Sequence, residues 1–332
     1  MKGPVPESRV LGVATVGSCF PHLRPAPSLS VVIPTYGREE SLCETLKGVL
    51  QLSYADWELL IVDQTPEHKP ETMAFLDTLP PPTRRIVLAA PSLPVARNVG
   101  AREARGEVVL YLDDDITPLP GLLVAHARHY RDPTVGGVAG RLVSPTGEVR
   151  PLDARYSRSP LPWLYIRFDQ KWDCREVEAA PGGNMSFRRD LIRLVGGFDE
   201  RFVGNAFREE TDFCLRLRAT SSRILFDPDA AVIHHFATDG GCDNNSLGRV
   251  DDPSVAYYRD FVRNNVYLFC KHVPSRLIPG LLWELYRTHV GNRPILRRGP
   301  RFFWRRQAGF LLGLMDGWRA WRSSRHPAPQ SR

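Results

Sequence analysis

The chain has 332 residues, of which 42% are hydrophobic, so it is long enough to bury a full core and to carry an additional segment. Its six cysteines are scattered without a CxxC pair, which argues against a zinc ribbon or a small disulfide scaffold and is typical of reduced thiols in a cytosolic protein. No run of 18 apolar residues occurs, so a membrane-spanning helix is not expected. The net charge is +7, and the chain from residue 292 onward contains ten arginines and a single acid, Asp316.

The first half of the chain alternates apolar strands with amphipathic helices. The proline-rich residues 1–27 lack any period and are expected to form a loose leader. We predict strands at residues 29–34, 56–65, 84–90 and 108–115, and helices at residues 38–53, 71–79 and 93–107. Because such alternation is typical of βαβ units, the predicted fold class is α/β, with a Rossmann-like, mostly parallel sheet flanked by helices.

The second half is less regular. Residues 181–202 predict a glycine turn, a strand and a helix that ends at two glycines. Residues 208–219 predict another helix, and residues 223–235 predict an extended segment that ends at two histidines. From residue 255 the sequence becomes aromatic and arginine-rich, with helical spacing. We therefore expect a leader at 1–27, an α/β domain at 28–250 and a basic, amphipathic helical extension at 251–332.

Three adjacent acids, Asp113, Asp114 and Asp115, follow the strand at residue 112, and Asp63 ends an earlier strand. In parallel sheets ligands bind beyond the carboxyl ends of the strands. Mg²⁺ or Mn²⁺ would neutralise clustered carboxylates and is usually held by one or two of them together with substrate phosphates. The alternative is a solvated acidic turn in which Asp115 or Thr117 caps the next helix.

A second acidic group opens the helix predicted at 208–219. Glu209, Glu210 and Asp212 lie where a carboxylate is favoured by the free N–H groups of a helix, and one of them could act as a general base. The alternative is a charged first turn with no further role. His234 and His235 follow the extended segment and could either supply a neutral imidazole to a metal or end the strand.

The order of these motifs resembles the glycosyltransferase family 2 enzymes of the GT-A fold. The resemblance covers residues 29–236, and its motifs are SVVIPTYGREESLCETLKGVL, DWELLIVDQT, ARNVGAREARGEVVLYLDDDITP, GGNMSFRRDLIRLVGGFDERF and EETDFCLRLR. It implies a nucleotide-diphosphate-sugar donor, a bound Mg²⁺ or Mn²⁺ and inverting transfer of the sugar to an acceptor hydroxyl.

The resemblance also implies roles for single residues. Those matching the nucleotide-sugar site are Pro34, Thr35, Tyr36, Asp63, Gln64, Arg97, Asn98, Asp113 and Asp114. Those matching the metal site are Asp115 and Asp113, to which His234 could add its imidazole, and those lining the sugar and acceptor are Gly182, Gly183, Asn184 and Asp212. Glu210 matches the base.

The chain departs from the family pattern at two places. Many relatives carry a second acid where this chain has Gln64, which leaves the nucleobase open because an amide donates as well as accepts. Many carry Glu-Asp where this chain has Glu209 and Glu210, so Glu209 stays open as an alternative base.

Residues 301–322 predict a helix with Phe303, Phe310, Leu314, Trp318 and Trp321 along one side. This helix could pack on the domain, or it could lie on an anionic bilayer with arginines at the headgroups. The second alternative suits a glycan or lipid-linked acceptor in cell-envelope polysaccharide synthesis. The protein would then be cytoplasmic and lie at the inner face of the cell membrane. No nucleic-acid-binding motif accompanies the arginines.

Two other functions stay open. A non-catalytic member of the fold would bind a nucleotide sugar without turnover, but the acid triplet and Glu210 argue against it. A nucleotidyltransferase would use the same sheet and metal, but such enzymes open with a glycine-rich loop, and PTYGREES has a single glycine.

Overall fold

The computed structural model describes residues 26–237, 240–241 and 255–325. The predicted leader therefore lies outside the described residues, apart from its last two positions, and so does the predicted boundary at residue 250. Within the described part of the chain, nine strands form one sheet in the order β3-β2-β1-β4-β8-β6-β9-β5, and the short strand β7 pairs with β9.

The first four strands of the sheet are parallel, as predicted. They are β1 (Leu29–Thr35), β2 (Trp57–Asp63), β3 (Thr83–Val87) and β4 (Val108–Leu112), and they are connected by α1 (Glu40–Leu50), α2 (Pro70–Asp77) and α3 (Leu93–Glu103). Strands β1, β2 and β4 are buried along almost their whole length, because helices cover both faces of this part of the sheet.

The second half of the sheet is mixed. Its elements are β5 (Ile116–Pro118), α4 (Leu122–Arg128), β6 (Val135–Val143), β7 (Arg175–Val177), β8 (Asn184–Arg188), α5 (Arg189–Leu194), α6 (Glu209–Arg218) and β9 (Arg223–His234). Strand β8 runs antiparallel to both β4 and β6, and β6 pairs in parallel with β9. The α/β fold class is confirmed, and the parallel pairing predicted for the sheet is concentrated in its first four strands.

The core lies on both faces of the sheet. Alternate residues of β1 point to opposite faces: Val31 and Ile33 pack with α1, whereas Val32 packs with α3. On the second face, α6 adds Phe213 to the same cluster. This packing fixes α6, which carries the second acidic group, against the sheet that carries the first.

The C-terminal part of the structure is helical, as predicted, and consists of α7 (Val255–His272), α8 (Ile278–His289), α9 (Arg293–Arg297) and α10 (Pro300–Arg325). Helix α10 lies along α7, and a Cβ on Gly313 or Gly317 would come within 2.6 Å of an α7 carbonyl oxygen. The two helices therefore approach as closely as they do only because these positions are glycine. None of the described helices is both long enough and apolar enough to cross a bilayer.

Candidate active site

A cavity of about 320 Å³ lies beyond the carboxyl ends of β1 and β4. Thirteen of the residues predicted for the site line it, namely Pro34, Thr35, Tyr36, Gln64, Arg97, Asp113, Asp114, Asp115, Gly182, Gly183, Glu209, Glu210 and His234. They come from seven separate segments, which the sheet brings together because its strands end at one edge.

The acids after β4 face His234, the last residue of β9. The His234 Nε2 atom lies 3.2 Å from Asp113 Oδ2 and 3.5 Å from Asp115 Oδ1. Helix α4 starts only after Gly121, and Thr117 belongs to strand β5, so neither Asp115 nor Thr117 caps a helix. The alternative interpretation of the acids as a helix cap is therefore wrong.

These three side chains are suited to hold a divalent metal ion. One ligand atom each of Asp113, Asp115 and His234 lies within 4.8 Å of the others. Two carboxylate oxygens with one imidazole nitrogen form a donor set that Mn²⁺ accepts, and the carboxylates also suit Mg²⁺. Burial disfavours the charged imidazole, but Asp113 and Asp115 outweigh it and raise the pKa of His234. A metal ion at this nitrogen would therefore compete with a proton.

The middle acid, Asp114, points away from the metal-ligating group. Its Oδ2 accepts a hydrogen bond from the Thr35 hydroxyl at 2.7 Å. Burial raises the pKa of Asp114 to about 7, with the charge of Asp115 adding to the effect and Arg38 opposing it. Burial therefore disfavours the charged form of Asp114, and the Thr35 hydroxyl links it to β1.

Arg38 is a site residue that our sequence analysis missed. Its guanidinium nitrogens lie 3.5 Å from both Asp114 and Asp115, and its side chain is almost fully buried. The only sequence signal was its position directly after the PTYG turn that follows the first strand. Arg38 offsets part of the repulsion between the acids and adds a cation to the wall of the cavity.

The two glutamates at the start of α6 have different surroundings. Glu209 is buried and forms an ion pair with Arg97, which also donates to the Gly182 carbonyl at 2.9 Å. The Glu210 carboxylate accepts a hydrogen bond from the Thr211 hydroxyl at 3.0 Å, and no cation among the described residues forms an ion pair with it. Of the two, Glu210 is the carboxylate free to take a proton.

Gly183 brings the chain close to the acids. A Cβ at this position would lie 2.4 Å from Asp113 Oδ2, and the Asp113 N–H donates to the Gly183 carbonyl at 3.3 Å. Any larger residue would displace the carboxylate, so the glycine is required by close approach to the metal-ligating group.

Two predicted acids, Asp63 and Asp212, lie outside the cavity lining. Asp63 is fully buried and accepts hydrogen bonds from the Thr65 N–H at 2.9 Å and from Arg85 at 2.8 Å. Asp212 is fully buried and accepts a hydrogen bond from His272 of α7 at 2.7 Å. The structure therefore shows Asp63 shaping the loop after β2 and Asp212 joining α6 to α7.

The predicted amide residues Asn98 and Asn184 also lie outside the cavity lining. Asn98 both donates to the Phe198 carbonyl and accepts from the Phe198 N–H, so it holds the turn after α5. Asn184 is fully buried, donates to the Ala230 carbonyl at 2.8 Å and pairs with His126 Nε2 at 2.9 Å. Both amides are occupied by contacts within the chain.

The buried ring of His126 predicts a pH dependence of stability. Burial lowers the pKa of His126 to about 4, whereas an exposed histidine has a pKa of about 6.5. Because the unfolded chain binds the proton more readily, the free energy of unfolding falls as pH decreases from about 6.5 to 4, by roughly 3 kcal/mol from this group. Urea unfolding of the wild type and of His126→Gln across this range measures the effect. An unchanged pH slope in the variant would contradict it.

The fold and the site together define a GT-A type domain, an α/β domain with an acid cluster and a helix-start glutamate at one sheet edge. The sequence model of glycosyl transferase family 2 matches residues 30–196, which is half of the chain. The chain belongs to glycosyl transferase family 2.

Solved structures confirm the fold. The mannosyltransferase PcManGT of Pyrobaculum calidifontis, in complex with GDP-Man and Mn²⁺, superimposes with a TM-score of 0.52 at 18% identity, over 92% of this chain and 77% of that one. GalNAc-T7 with UDP, GalNAc and Mn²⁺ gives a TM-score of 0.53 at 16% identity, over 74% of this chain and 51% of that one.

Curated relatives share sequence with part of the chain. The pre-mycofactocin glycosyltransferase of Mycobacterium tuberculosis is 34% identical over 151 residues, which are 43% of this chain and 30% of that protein. The glucosyl-dolichyl phosphate glucuronosyltransferase of Haloferax volcanii is 27% identical over 218 residues, which are 62% of this chain and 68% of that protein. The chain thus spans less than a third of the length of the first of these relatives.

Proposed function

We propose that the protein is a metal-dependent inverting glycosyltransferase that moves a sugar from a nucleotide-diphosphate-sugar donor to an acceptor hydroxyl. The observation that carries this proposal is that the metal-ligating group and the free carboxylate of Glu210 border one cavity. Family membership and the GT-A fold support the same reaction.

The donor side of the cavity is formed by the ends of β1 and β4. Pro34, Thr35, Tyr36 and Gln64 line the part next to β1 and β2, where the base and ribose would lie. Asp113, Asp115 and His234 would hold Mg²⁺ or Mn²⁺, which when bound offsets the negative charge of the departing diphosphate as a Lewis acid. Both solved structures contain a nucleotide and Mn²⁺, which supports this assignment.

The acceptor side is formed by the start of α6. Glu210 takes the proton of the acceptor hydroxyl as its oxygen attacks the anomeric carbon from the face opposite the diphosphate. A single displacement of this kind inverts the anomeric configuration. Glu209 does not compete for the proton, since Arg97 neutralises it. Arg97 also holds Gly182 and thereby orders the glycine turn beside Asp113.

A donor screen tests the proposed reaction. The purified protein is incubated with Mn²⁺ and a panel of nucleotide sugars, together with glycan and lipid-linked acceptors, and the released nucleoside diphosphate is measured. We expect release with one donor class, lost when a chelator is added. Release that is unaffected by the chelator would refute the metal requirement, and no release with any pair would refute the assignment as a transferase.

We also propose that α10 contacts an anionic membrane surface at the inner face of the cell membrane. Its face away from α7 carries exposed apolar residues at helical spacing, among them Trp304, which is 65% exposed, Leu311, Met315 and Trp318, which is 48% exposed. Arginines border this stripe, and tryptophan with arginine is the composition of interfacial helices. A lipid-linked acceptor of the kind named for the Haloferax relative would suit this arrangement.

Helical spacing in the sequence predicts Trp318 on the same side of the helix as Phe310. In the structure Phe310 is buried, whereas Trp318 is exposed, because glycines at 309, 313 and 317 form most of the face toward α7. The two alternatives for this helix are therefore compatible: one face packs on α7, and the other face is available to a bilayer.

Acidic substitution on the stripe is expected to abolish vesicle binding. The double variant Met315→Glu and Trp318→Glu removes two apolar contacts and introduces charges that anionic lipids repel. Co-sedimentation with phosphatidylglycerol vesicles is the measurement, with phosphatidylcholine vesicles for comparison. The control is Leu194→Glu, since Leu194 is 69% exposed at the far end of α5. Equal sedimentation of both variants would exclude this contact.

A further inference from the structure

A second cavity, of about 360 Å³, lies between the catalytic domain and the C-terminal helices. Its walls are formed by the segment 153–167, by Phe207 and Arg208 before α6, and by α7 and α8. Phe207 borders both this cavity and the candidate active site. The two spaces are therefore neighbours on either side of one aromatic ring, three residues from Glu210.

One wall of the second cavity is apolar. It consists of Phe207, Phe261, Phe269, Leu281 and Leu285. The ring of Phe207 lies 4.9 Å from that of Phe261, so α7 supports the partition between the cavities. This wall can cover several methylene groups of a ligand.

The other wall carries charged groups, most of which are paired within the chain. Arg155 forms ion pairs with Asp153 and Glu284. Arg167 donates to Asp169 at 3.0 Å. These pairs join two arginines to three carboxylates, so these two arginines offer a ligand no unpaired positive charge.

Arg208 is different from the other arginines of the cavity. It donates one hydrogen bond, to the Leu164 carbonyl at 3.2 Å, and its guanidinium lies 4.9 Å from the Phe207 ring. Its Nε atom is buried without a hydrogen-bond partner, and among the described residues no carboxylate forms an ion pair with it. Arg208 is partly buried, and the charge of the Glu210 carboxylate is the largest one acting on it within the chain. Because no carboxylate lies within ion-pair distance of the guanidinium, an anion that entered the second cavity would be stabilised there.

The backbone holds Arg208 in this position. Its φ is 78°, and Ala206 two residues earlier has a φ of 51°, both in the left-handed region that non-glycine residues rarely adopt. Such strain persists only where the surrounding structure imposes it, and it is concentrated at ligand sites. The segment directs the Arg208 side chain into the second cavity and the next two side chains, Glu209 and Glu210, into the first.

We infer that the second cavity binds the acceptor, and that this acceptor is an amphiphile carrying a phosphate ester next to an apolar chain. The phosphate would form a bidentate ion pair with Arg208, in which it accepts hydrogen bonds from the Nε–H and from a neighbouring N–H of the guanidinium. The apolar chain would lie on the Phe207 and Phe261 wall and continue toward Trp283, which is 64% exposed beside Glu284 of the cavity lining. The inference rests on the proposed function, since it assigns the acceptor of that reaction.

Calorimetry with three small probes tests the inference. Hexyl phosphate carries both groups, inorganic phosphate only the anion, and 1-hexanol only the apolar chain. We expect hexyl phosphate to bind the wild type at least about tenfold more tightly than either of the others, because only it meets both walls. The variant Arg208→Gln should weaken hexyl phosphate about tenfold or more, and Arg208→Lys should restore part of the affinity.

The matched control is Arg167→Gln. Arg167 lines the same cavity but is paired with Asp169, so its removal should leave the affinity for hexyl phosphate within about twofold. Equal loss in the Arg208 and Arg167 variants would overturn the inference, as would inorganic phosphate or hexanol binding as tightly as hexyl phosphate.

Binding of a nucleoside diphosphate with Mn²⁺, measured in the same proteins, separates this inference from the proposed function. Retention of that binding in Arg208→Gln shows that the fold and the donor site are intact. If hexyl phosphate binds through Arg208 but no nucleoside diphosphate binds, the donor assignment fails alone. If the diphosphate binds and hexyl phosphate does not, the acceptor assignment fails alone.

Discussion

Replacing Asp115 by alanine is expected to abolish the metal-dependent part of nucleoside diphosphate binding. Asp115 supplies an almost fully buried carboxylate to the group formed with Asp113 and His234. Removing a metal ligand should cost at least about 100-fold in metal affinity, because even the outer partners of metal ligands contribute 10- to 100-fold. Calorimetric titration of GDP and UDP, with Mn²⁺ and with a chelator, measures this loss.

Two further variants make the result specific. Asp115 Oδ2 also accepts a hydrogen bond from the Ala237 N–H at 2.8 Å, and Asp115→Asn keeps an acceptor there while removing the charge. The control is Asp77→Ala, an exposed aspartate at the end of α2, which should bind as the wild type does. Equal affinity of the Asp115 variants with and without the chelator, alongside metal-dependent binding in the control, is the expected pattern. Metal dependence that survives in both Asp115 variants would refute this ligand.

Replacing Glu210 by glutamine is expected to preserve donor binding and to remove transfer. The amide keeps the size of the side chain but cannot take a proton from the acceptor hydroxyl. Loss of a general base typically lowers the rate by about 10²- to 10⁴-fold. Single-turnover transfer with the donor found in the screen measures the rate, and calorimetry measures the binding of the diphosphate.

The matched control for this variant is Glu71→Gln, an exposed glutamate in the first turn of α2. It should change neither binding nor transfer. A Glu210→Gln enzyme with wild-type turnover would exclude Glu210 as the base and make Glu209 the next residue to test. The structure argues against Glu209, because it is neutralised by the buried Arg97, whose other carboxylate partner, Asp113, lies farther away at 3.8 Å.

Much of the fold follows from local patterns in the sequence. Strands β1, β2 and β4 were predictable because a strand buried on both faces is an unbroken apolar run, as in VVLYL of β4. Strand β6 was missed, since VGGVAGRLV contains three glycines and lacks both the continuous and the alternating pattern. Its place in the sheet depends on pairing with β8 and β9, which are distant in sequence.

The candidate site divides in a similar way. The sequence pointed to Asp113 and Asp115 because adjacent acids at a strand end repel one another without a cation, and to Glu210 by its place at a helix start in the family pattern; the structure places all three at one cavity. Asn184 belongs to the GGN motif and Asp212 to the motif that contains Glu210, yet both side chains lie in the protein interior. Local spacing does not decide this, because the two sides of a strand end or helix turn differ only in what the rest of the chain packs against them.

By itself the sequence determined which strands are buried, where the acids follow them and which family the order of motifs resembles, because each of these is a short-range pattern. Only the tertiary structure decided that Arg38 lies among the acids, that Arg97 neutralises Glu209 and leaves Glu210 free, and that Arg208 opens into a second cavity. The physical reason is that charge pairing depends on distances of a few ångströms between segments far apart in the chain. Those distances exist only after the sheet has brought its strand ends to one edge.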